Sequence, residues 1–333
     1  MTAEVESRRF RTWETASTTG SVVVWWLLVR YLVNRYIRVW YVYMVVILGV
    51  FGALLGVFLL NVVAGEEQQI FGVRPDLIQE GPLAFIGIGM ALFALLVTAP
   101  SIAEDVRFNA HLFYFSKPVR TWDYMLGKTA FNFFGLALVG IIPALILAGT
   151  VLSIGPWDES AILELLIEDG ATPAEARAQM DEMRSDRVDT WADAWYLATM
   201  PLLATLSLSV GLVGLTMAFS AFTRRAWHAA VGVVIFIVGW SVLGGIASET
   251  IESAEWRLYF PAGWMDAVTF LPISYRFRPY CPPEDGGRYC DYLNEEFAHA
   301  ASTIWLSHLF LVLIGVIGMM VTWARVKRLQ GSA

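Results

Sequence analysis

Charged residues are scarce in this chain of 333 residues: they make up 16% of it, whereas 57% of it is hydrophobic. Soluble domains carry about 25% charged residues, so this composition leaves too little polar surface for a soluble protein of this size. Charge is absent from six long stretches, each longer than the roughly 20 residues that a helix needs to cross a bilayer. These stretches are 39–65, 81–103, 129–157, 194–223, 226–248 and 297–324.

Each charge-free stretch is expected to be helical, because backbone polar groups in lipid must be bonded within their own segment. The predicted fold is an all-α polytopic membrane protein with six transmembrane helices. We expect a cytoplasmic tail over 1–20, followed by one six-helix domain over 21–333. The helices are predicted at about 41–63, 82–103, 129–153, 195–220, 227–248 and 302–324.

Lysine and arginine indicate the orientation of these helices. Most of them lie in the tail, in 104–128 and in the other segments on the side of the two termini. The two enlarged segments on the other side, 154–194 and 249–301, are acidic. Because basic residues concentrate in cytoplasmic loops, we expect both termini in the cytoplasm and the chain in the cell (inner) membrane.

A further helix is predicted before the first span. Arg30, Asn34 and Arg38 recur at intervals of four among Trp, Leu, Val, Tyr and Ile. This spacing is typical of an amphipathic helix in the inner headgroup layer, with arginines that snorkel toward water. We therefore predict an interface helix over 22–39. A cytoplasmic extension of the first span is the alternative.

The outer segments carry two local signals. Asp158 can begin a helix that ends near Gly170, and the run 172–175 reads Thr-Pro-Ala-Glu, a capping box, so a helical hairpin is predicted. The only two cysteines, Cys281 and Cys290, favour a disulfide in an oxidising compartment, with a redox or metal role as the alternative. The outer segments form either a lid over an exit path or a solvated surface.

Catalytic patterns are missing. Gly127-Lys128-Thr129 looks like the end of a phosphate-binding loop, but Trp122 stands where that loop needs glycine. The charge-free stretches hold no aspartate pair, and the four histidines are scattered. His308 lies well inside a stretch, where we interpret it as a hydrogen-bonded packing residue. We predict no enzyme activity, metal site or cofactor site on this chain, and no nucleic-acid partner.

One connection combines several unusual features. Helix two ends in Pro-Ser-Ile-Ala-Glu-Asp over 100–105. Phe-Ser-Lys-Pro-Val-Arg follows over 115–120, and Asp-Tyr-Met-Leu-Gly-Lys enters helix three over 123–128. This pattern resembles the ABC type-2 permease family, as do the run 218–226 and the amphipathic helix before helix one. The Gly-Thr-Leu that commonly follows the family's arginine is replaced here by Phe108-Asn109-Ala110.

The resemblance implies the membrane subunit of an exporter, driven by a separate cytoplasmic ABC ATPase that binds ATP and Mg. Two such permeases, identical or different, would pair around a path and work within membrane lipid. The alternative is a membrane scaffold or regulatory subunit that binds partners through its outer hairpin and cytoplasmic loop. By resemblance, 104–128 couples to the ATPase. The residues implied in coupling are Glu104, Asp105, Arg107, Phe108, His111 and Leu112, and the family-motif residues are Lys117, Pro118, Tyr124, Gly127 and Lys128.

Overall fold

The computed structural model describes nine helices among the residues that can be placed. Those residues are 21–59, 73, 82–108, 119–156, 158–184, 188–251 and 300–331. No strand occurs within these ranges, so the described chain is all-helical as predicted. The tail over 1–20, residues 109–118 and the two cysteines lie outside the described residues.

The helices follow the order that the sequence predicts. They are α1 (Ser21–Tyr36), α2 (Trp40–Phe58), α3 (Pro82–Arg107), α4 (Thr121–Ile154), α5 (Glu159–Glu168), α6 (Pro173–Arg184), α7 (Trp191–Phe222), α8 (Ala226–Ile251) and α9 (Ala300–Gly331). Among the described residues, five helices are long and apolar enough to cross a membrane: α2, α3, α4, α7 and most of α9. The chain is therefore a multi-pass membrane protein. Helix α8 is apolar over Ala226–Trp240.

Several helices extend beyond their predicted ends. Helix α3 was expected to end at 103, but it continues to Arg107. The third spanning helix was expected to begin at 129, whereas α4 runs unbroken from Thr121 to Ile154. Helix α7 begins at Trp191 rather than at 195, and α9 continues to Gly331 rather than ending at 324. The predicted helix ends had been placed where the charged residues begin on either side of each charge-free stretch. Charged residues limit the stretch that can lie in hydrocarbon but do not end a helix, and Asp105 and Lys128 pair with each other within the extended parts of α3 and α4.

Helix α3 is not regular along its length. A π-turn spans Ala94–Thr98 and is closed by a bond from the Ala99 N–H to the Ala94 carbonyl, 2.8 Å long. Pro100 follows directly and begins the last α-helical segment. Proline has no N–H to donate to the preceding turn, so the irregular turn and the proline divide α3 into two segments.

Helices α4 and α7 form the centre of the bundle. Helix α7 packs against α4 and, most extensively, against α9, while α1, α2 and α3 pack on α4. Small residues allow the closest approach: a Cβ at Gly214 would overlap the backbone of Gly315, and one at Gly318 would overlap the backbone of Gly214. The backbones of α7 and α9 are therefore in direct contact, as small residues permit in membranes.

The helical hairpin predicted from Asp158 and the capping box is confirmed as two capped helices, α5 and α6. Asp158 accepts hydrogen bonds from the N–H groups of Ser160 and Ala161, 3.0 and 3.3 Å long. The Thr172 N–H donates to the Glu175 carboxylate at 2.9 Å, and the Glu175 N–H donates to the Thr172 hydroxyl at 3.4 Å, which completes the capping box. Hydrogen bonds from the Ser160 and Thr172 hydroxyls, and then those from the backbone N–H groups, lower the pKa of the Asp158 and Glu175 carboxyl groups.

Candidate functional site

The end of the bundle at which α3 ends and α4 begins is here called the base. At the base, the terminal regions of α7 and α9 join them: the Trp122 and Trp323 rings lie 5.8 Å apart, and the Arg325 guanidinium lies 5.9 Å from the Phe222 ring centre. The base thus brings together the described parts of the run 100–128, which are 100–108 and 119–128, and the loop between α7 and α8.

A buried ion pair connects α3 to α4 at the base. Lys128 is 1% exposed and Asp105 is 5% exposed, and the Lys128 ammonium lies 2.9 Å from the Asp105 carboxylate. The ammonium also donates to the Ser101 carbonyl oxygen at 2.6 Å. A lone buried charge is costly, so each partner requires the other. The helix register that brings them together is thereby fixed.

Neighbouring polar side chains extend this ion pair. Tyr124, one turn before Lys128, donates its hydroxyl to the Asp105 carboxylate at 2.7 Å. One turn after Lys128, the Asn132 amide donates to the Ser101 hydroxyl at 3.2 Å. We call Ser101, Asp105, Tyr124, Lys128 and Asn132 the base cluster. Its members recur at intervals of four on two facing helices, as side chains on one helix face must.

Helix α7 joins the same region through Ser220. The Ser220 hydroxyl accepts hydrogen bonds from the N–H groups of Ile102 and Ala103, 3.1 and 2.9 Å long. These N–H groups belong to the first turn after Pro100, where donors commonly lack partners within the helix. Ser220 therefore caps the last segment of α3 from another helix. This segment of α3 is bonded to α4 on one side and to α7 on the other.

Helix α1 is tied to the base by charge and by packing. The Arg35 guanidinium lies 2.5 Å from the Glu104 carboxylate, and both side chains are partly exposed. The Tyr36 ring stacks on Phe131 with centroids 5.3 Å apart. Leu28 covers Gly127 so closely that a Cβ at Gly127 would lie 2.6 Å from the Leu28 Cδ2. Gly127 is thus the point at which α1 approaches α4.

Electrostatics keep the two α1 groups in their usual charge states. Burial alone lowers the pKa of Arg35, but electrostatic interactions with the Tyr36 and Glu104 side chains raise it overall. Burial, and then the Glu104 carboxylate, raise the pKa of the Tyr36 phenol above its ordinary value. Arg35 is therefore a cation and Tyr36 a neutral phenol at physiological pH.

The predicted coupling residues separate into two groups. Glu104 and Asp105 make contacts within the bundle, whereas Arg107 and Phe108 are exposed at its end. Phe108 is 67% exposed, and the Arg107 guanidinium lies 5.2 Å from its ring centre. Of the motif residues, Tyr124, Gly127 and Lys128 meet Asp105 or α1. His111, Leu112, Lys117 and Pro118 lie outside the described residues.

Four contributors were missed in the sequence: Ser101, Asn132, Ser220 and Arg35. The spacing of polar residues in the sequence indicates two of them. Ser101 precedes Asp105 by four residues and Asn132 follows Lys128 by four, so each continues a polar helix face. Ser220 and Arg35 act across long sequence separations, which spacing within one helix does not reveal.

A second polar contact lies in the interior, away from the base. The Ser207 hydroxyl and the His308 Nδ1 are 2.8 Å apart between α7 and α9, which confirms His308 as a hydrogen-bonded packing residue. Near this level, an apolar cavity of about 210 Å³ opens between α3, α7, α8 and α9. It is lined by Gly87, Ile88, Met90, Ala91, Leu208, Gly211, Leu212, Leu215, Ile237 and Leu311.

Within the described ranges, no group of three or more His, Cys, Asp or Glu side chains could hold a metal ion. Comparison with known protein families and with curated proteins found no match. The polar contacts at the base connect the end of α3 to α1, α4 and α7. An exposed aromatic residue and an exposed arginine lie beside these contacts.

Proposed function

We propose that this chain is the membrane subunit of an ABC-type exporter, with a separate cytoplasmic ATPase that binds ATP and Mg. The supporting observation is that four residues of the family-like run 100–128 contact neighbouring helices at the base. Asp105, Tyr124, Gly127 and Lys128 each hold two helices together there. A permease needs such a connection, because force applied to a cytoplasmic loop must reach its spanning helices.

In the proposed orientation the protein lies in the inner membrane and its base faces the cytoplasm. The loop of Arg224 and Arg225 lies at the base, whereas α5 and α6 at the opposite end carry many carboxylates. This polarity agrees with the positive-inside rule. Helix α8 serves as a sixth span in this proposal, and both termini are cytoplasmic.

We assign the coupling residues two different tasks. Arg107 and Phe108 are exposed, so they contact the ATPase in the proposed assembly. Glu104 and Asp105 lie behind them and pass a displacement on to α1 and α4 through Arg35 and Lys128. Two copies of the permease, or one copy and a related chain, would enclose the transport path.

Affinity purification of the tagged full chain from native membranes tests this function. We expect an ATPase with a nucleotide-binding motif in stoichiometric amount, identified by mass spectrometry. Recovery of the chain alone, or with partners bound only to its outer hairpin, contradicts the transporter proposal and favours the scaffold.

Substitution of the exposed pair tests where the ATPase binds. Phe108→Ala with Arg107→Ala should reduce the captured ATPase at least about tenfold, because aromatic and arginine anchors dominate binding energy at interfaces. Trp227→Ala with Arg225→Ala is the matched control, since it removes an exposed aromatic residue and an exposed arginine elsewhere at the base. Equal losses in both variants contradict the assigned contact.

A further inference from the structure

Helix α1 has two faces of different character. Leu28, Val29, Leu32 and Tyr36 are buried against the bundle. The opposite face holds both arginine and large apolar side chains, all exposed. Its exposed members are Trp26, Arg30, Tyr31, Val33 and Asn34, and Ile37 is exposed in the turn that follows.

This mixed face fits one environment best. Water disfavours three large apolar side chains on one exposed helix face, and hydrocarbon disfavours Arg30 and Asn34. The headgroup layer accommodates both, because apolar bodies enter the acyl region while guanidinium groups reach the phosphates. The exposed face of α1 therefore lies at the level of lipid headgroups.

The turn from α1 to α2 presents a second exposed arginine, Arg38. The turn is fixed by a hydrogen bond from the Tyr43 hydroxyl to the Ile37 carbonyl and by a bond of 3.0 Å from the Val39 N–H to the Tyr36 carbonyl. Trp40, which is 72% exposed, begins α2 immediately afterwards. Arg38 thus stands on an ordered turn beside a tryptophan of the type found at membrane interfaces.

Charge balance identifies the ligand. The segment 21–59 contains arginines 30, 35 and 38 and no aspartate or glutamate. Arg35 pairs with Glu104 of α3, whereas Arg30 and Arg38 lie on the exposed surface. Guanidinium groups bind phosphate with two parallel hydrogen bonds. We propose that Arg30 and Arg38 bind the headgroups of anionic phospholipids.

Such binding has a structural consequence for the base. The same helix that would hold the lipid carries Arg35 and Leu28, which contact Glu104 and Gly127. Anionic lipid would therefore hold α1 in the membrane plane and keep it against α4. Lipid binding at α1 does not depend on whether the chain is a transporter.

Native mass spectrometry of the full chain can test this proposal. The chain is released from micelles containing equal amounts of phosphatidylglycerol and phosphatidylcholine, and bound lipids are counted. The unaltered chain should retain phosphatidylglycerol preferentially. Arg30→Gln with Arg38→Gln should weaken this retention about 25-fold, because each arginine near an anionic surface contributes about fivefold in affinity.

Arg224→Gln with Arg225→Gln is the matched control, because it removes two exposed arginines from another loop at the base. This control should retain phosphatidylglycerol within about twofold of the unaltered chain. Equal loss in both variants overturns the proposal in favour of a general attraction to the basic end. Equal retention of the two lipids by the unaltered chain also overturns it. Displacement by soluble glycerol phosphate indicates a small-anion site and likewise contradicts a membrane ligand.

Discussion

At the residue scale, Lys128 shows how a charge can be accommodated among apolar helices. Its ammonium is almost completely buried, yet it contacts the Asp105 carboxylate and the Ser101 carbonyl. The pair contributes little net free energy relative to a well-packed apolar pair, but the loss of one partner is costly. Its main effect is to select one arrangement of α3 against α4.

Lys128→Met should lower the free energy of unfolding by about 3–5 kcal/mol, because it leaves the buried Asp105 without its cation. Chemical denaturation in detergent micelles, followed by circular dichroism, measures the change. Arg120→Met is the control, since Arg120 is an exposed cation just before α4 and should have little effect. Lys128→Met combined with Asp105→Leu should recover most of the loss. A double variant as unstable as Lys128→Met alone contradicts this account.

At the scale of elements, the contact between α7 and α9 depends on the absence of side chains. The backbones of Gly214 and Gly315 approach so closely that neither can accept a Cβ without a shift of the helix. The Ser207–His308 hydrogen bond lies on the same interface. Packing and hydrogen bonding therefore fix the register of α7 and α9 together, as expected for helices that associate in lipid.

Gly214→Ala should lower the thermal unfolding midpoint by several degrees, because the added methyl group separates α7 from α9 and opens gaps along their contact. Gly239→Ala on α8 is the matched control, since a Cβ there has no neighbour within 4 Å. The control should leave the midpoint unchanged or raise it slightly, because alanine favours helix more than glycine does. Equal destabilisation by both variants excludes the proposed steric cause.

The stability of the hairpin formed by α5 and α6 should depend on pH through its helix caps. The lowered pKa values of Asp158 and Glu175 mean that their ionised forms stabilise the hairpin. This stabilisation is fully present above the ordinary carboxyl values of 3.8 and 4.5, and it is lost as pH falls through the lowered values. Hydrogen exchange of residues 158–184 in Asp158→Asn with Glu175→Gln should exceed that of the unaltered chain at pH 7.

That difference in exchange should disappear near pH 2, about two units below the ordinary carboxyl range, where the unaltered chain also loses its ionised caps. Glu164→Gln with Glu168→Gln removes two hairpin carboxylates that are not caps, and it should not reproduce the effect. Asparagine and glutamine can still cap the helices but carry no charge, so a difference between the unaltered and substituted chains that is the same at both pH values would show that ionisation of the caps is unimportant.

At the scale of the whole molecule, charge-free runs located the helices well and their ends less well. The run 81–103 identified α3, but the helix extends to Arg107. The run that begins at 129 identified α4, which starts at Thr121. A charge-free run marks the part of a helix that can lie in hydrocarbon, and a helix can continue past it into the headgroup layer. Capping residues identified α5 and α6 directly, because their bonds are local in sequence.

The base cluster was predictable only in part. The sequence run 100–128 marked Asp105, Tyr124, Gly127 and Lys128, but their partners depend on how helices pack. Ser220 reaches α3 across more than a hundred residues of sequence, and Arg35 reaches Glu104 from a helix before the first span. The role expected for Glu104 and Asp105 in ATPase coupling stays a prediction, and their contacts within the bundle are an additional finding.

The division of one ion pair between two successive helices affects how the protein enters the membrane. During synthesis α3 leaves the ribosome before α4, so Asp105 initially lacks the cation that accompanies it in the folded chain. A charged side chain raises the cost of helix insertion, and that cost falls when an opposite charge arrives beside it. We therefore expect the insertion machinery to retain α3 until α4 emerges and to release the two as one hairpin into the lipid.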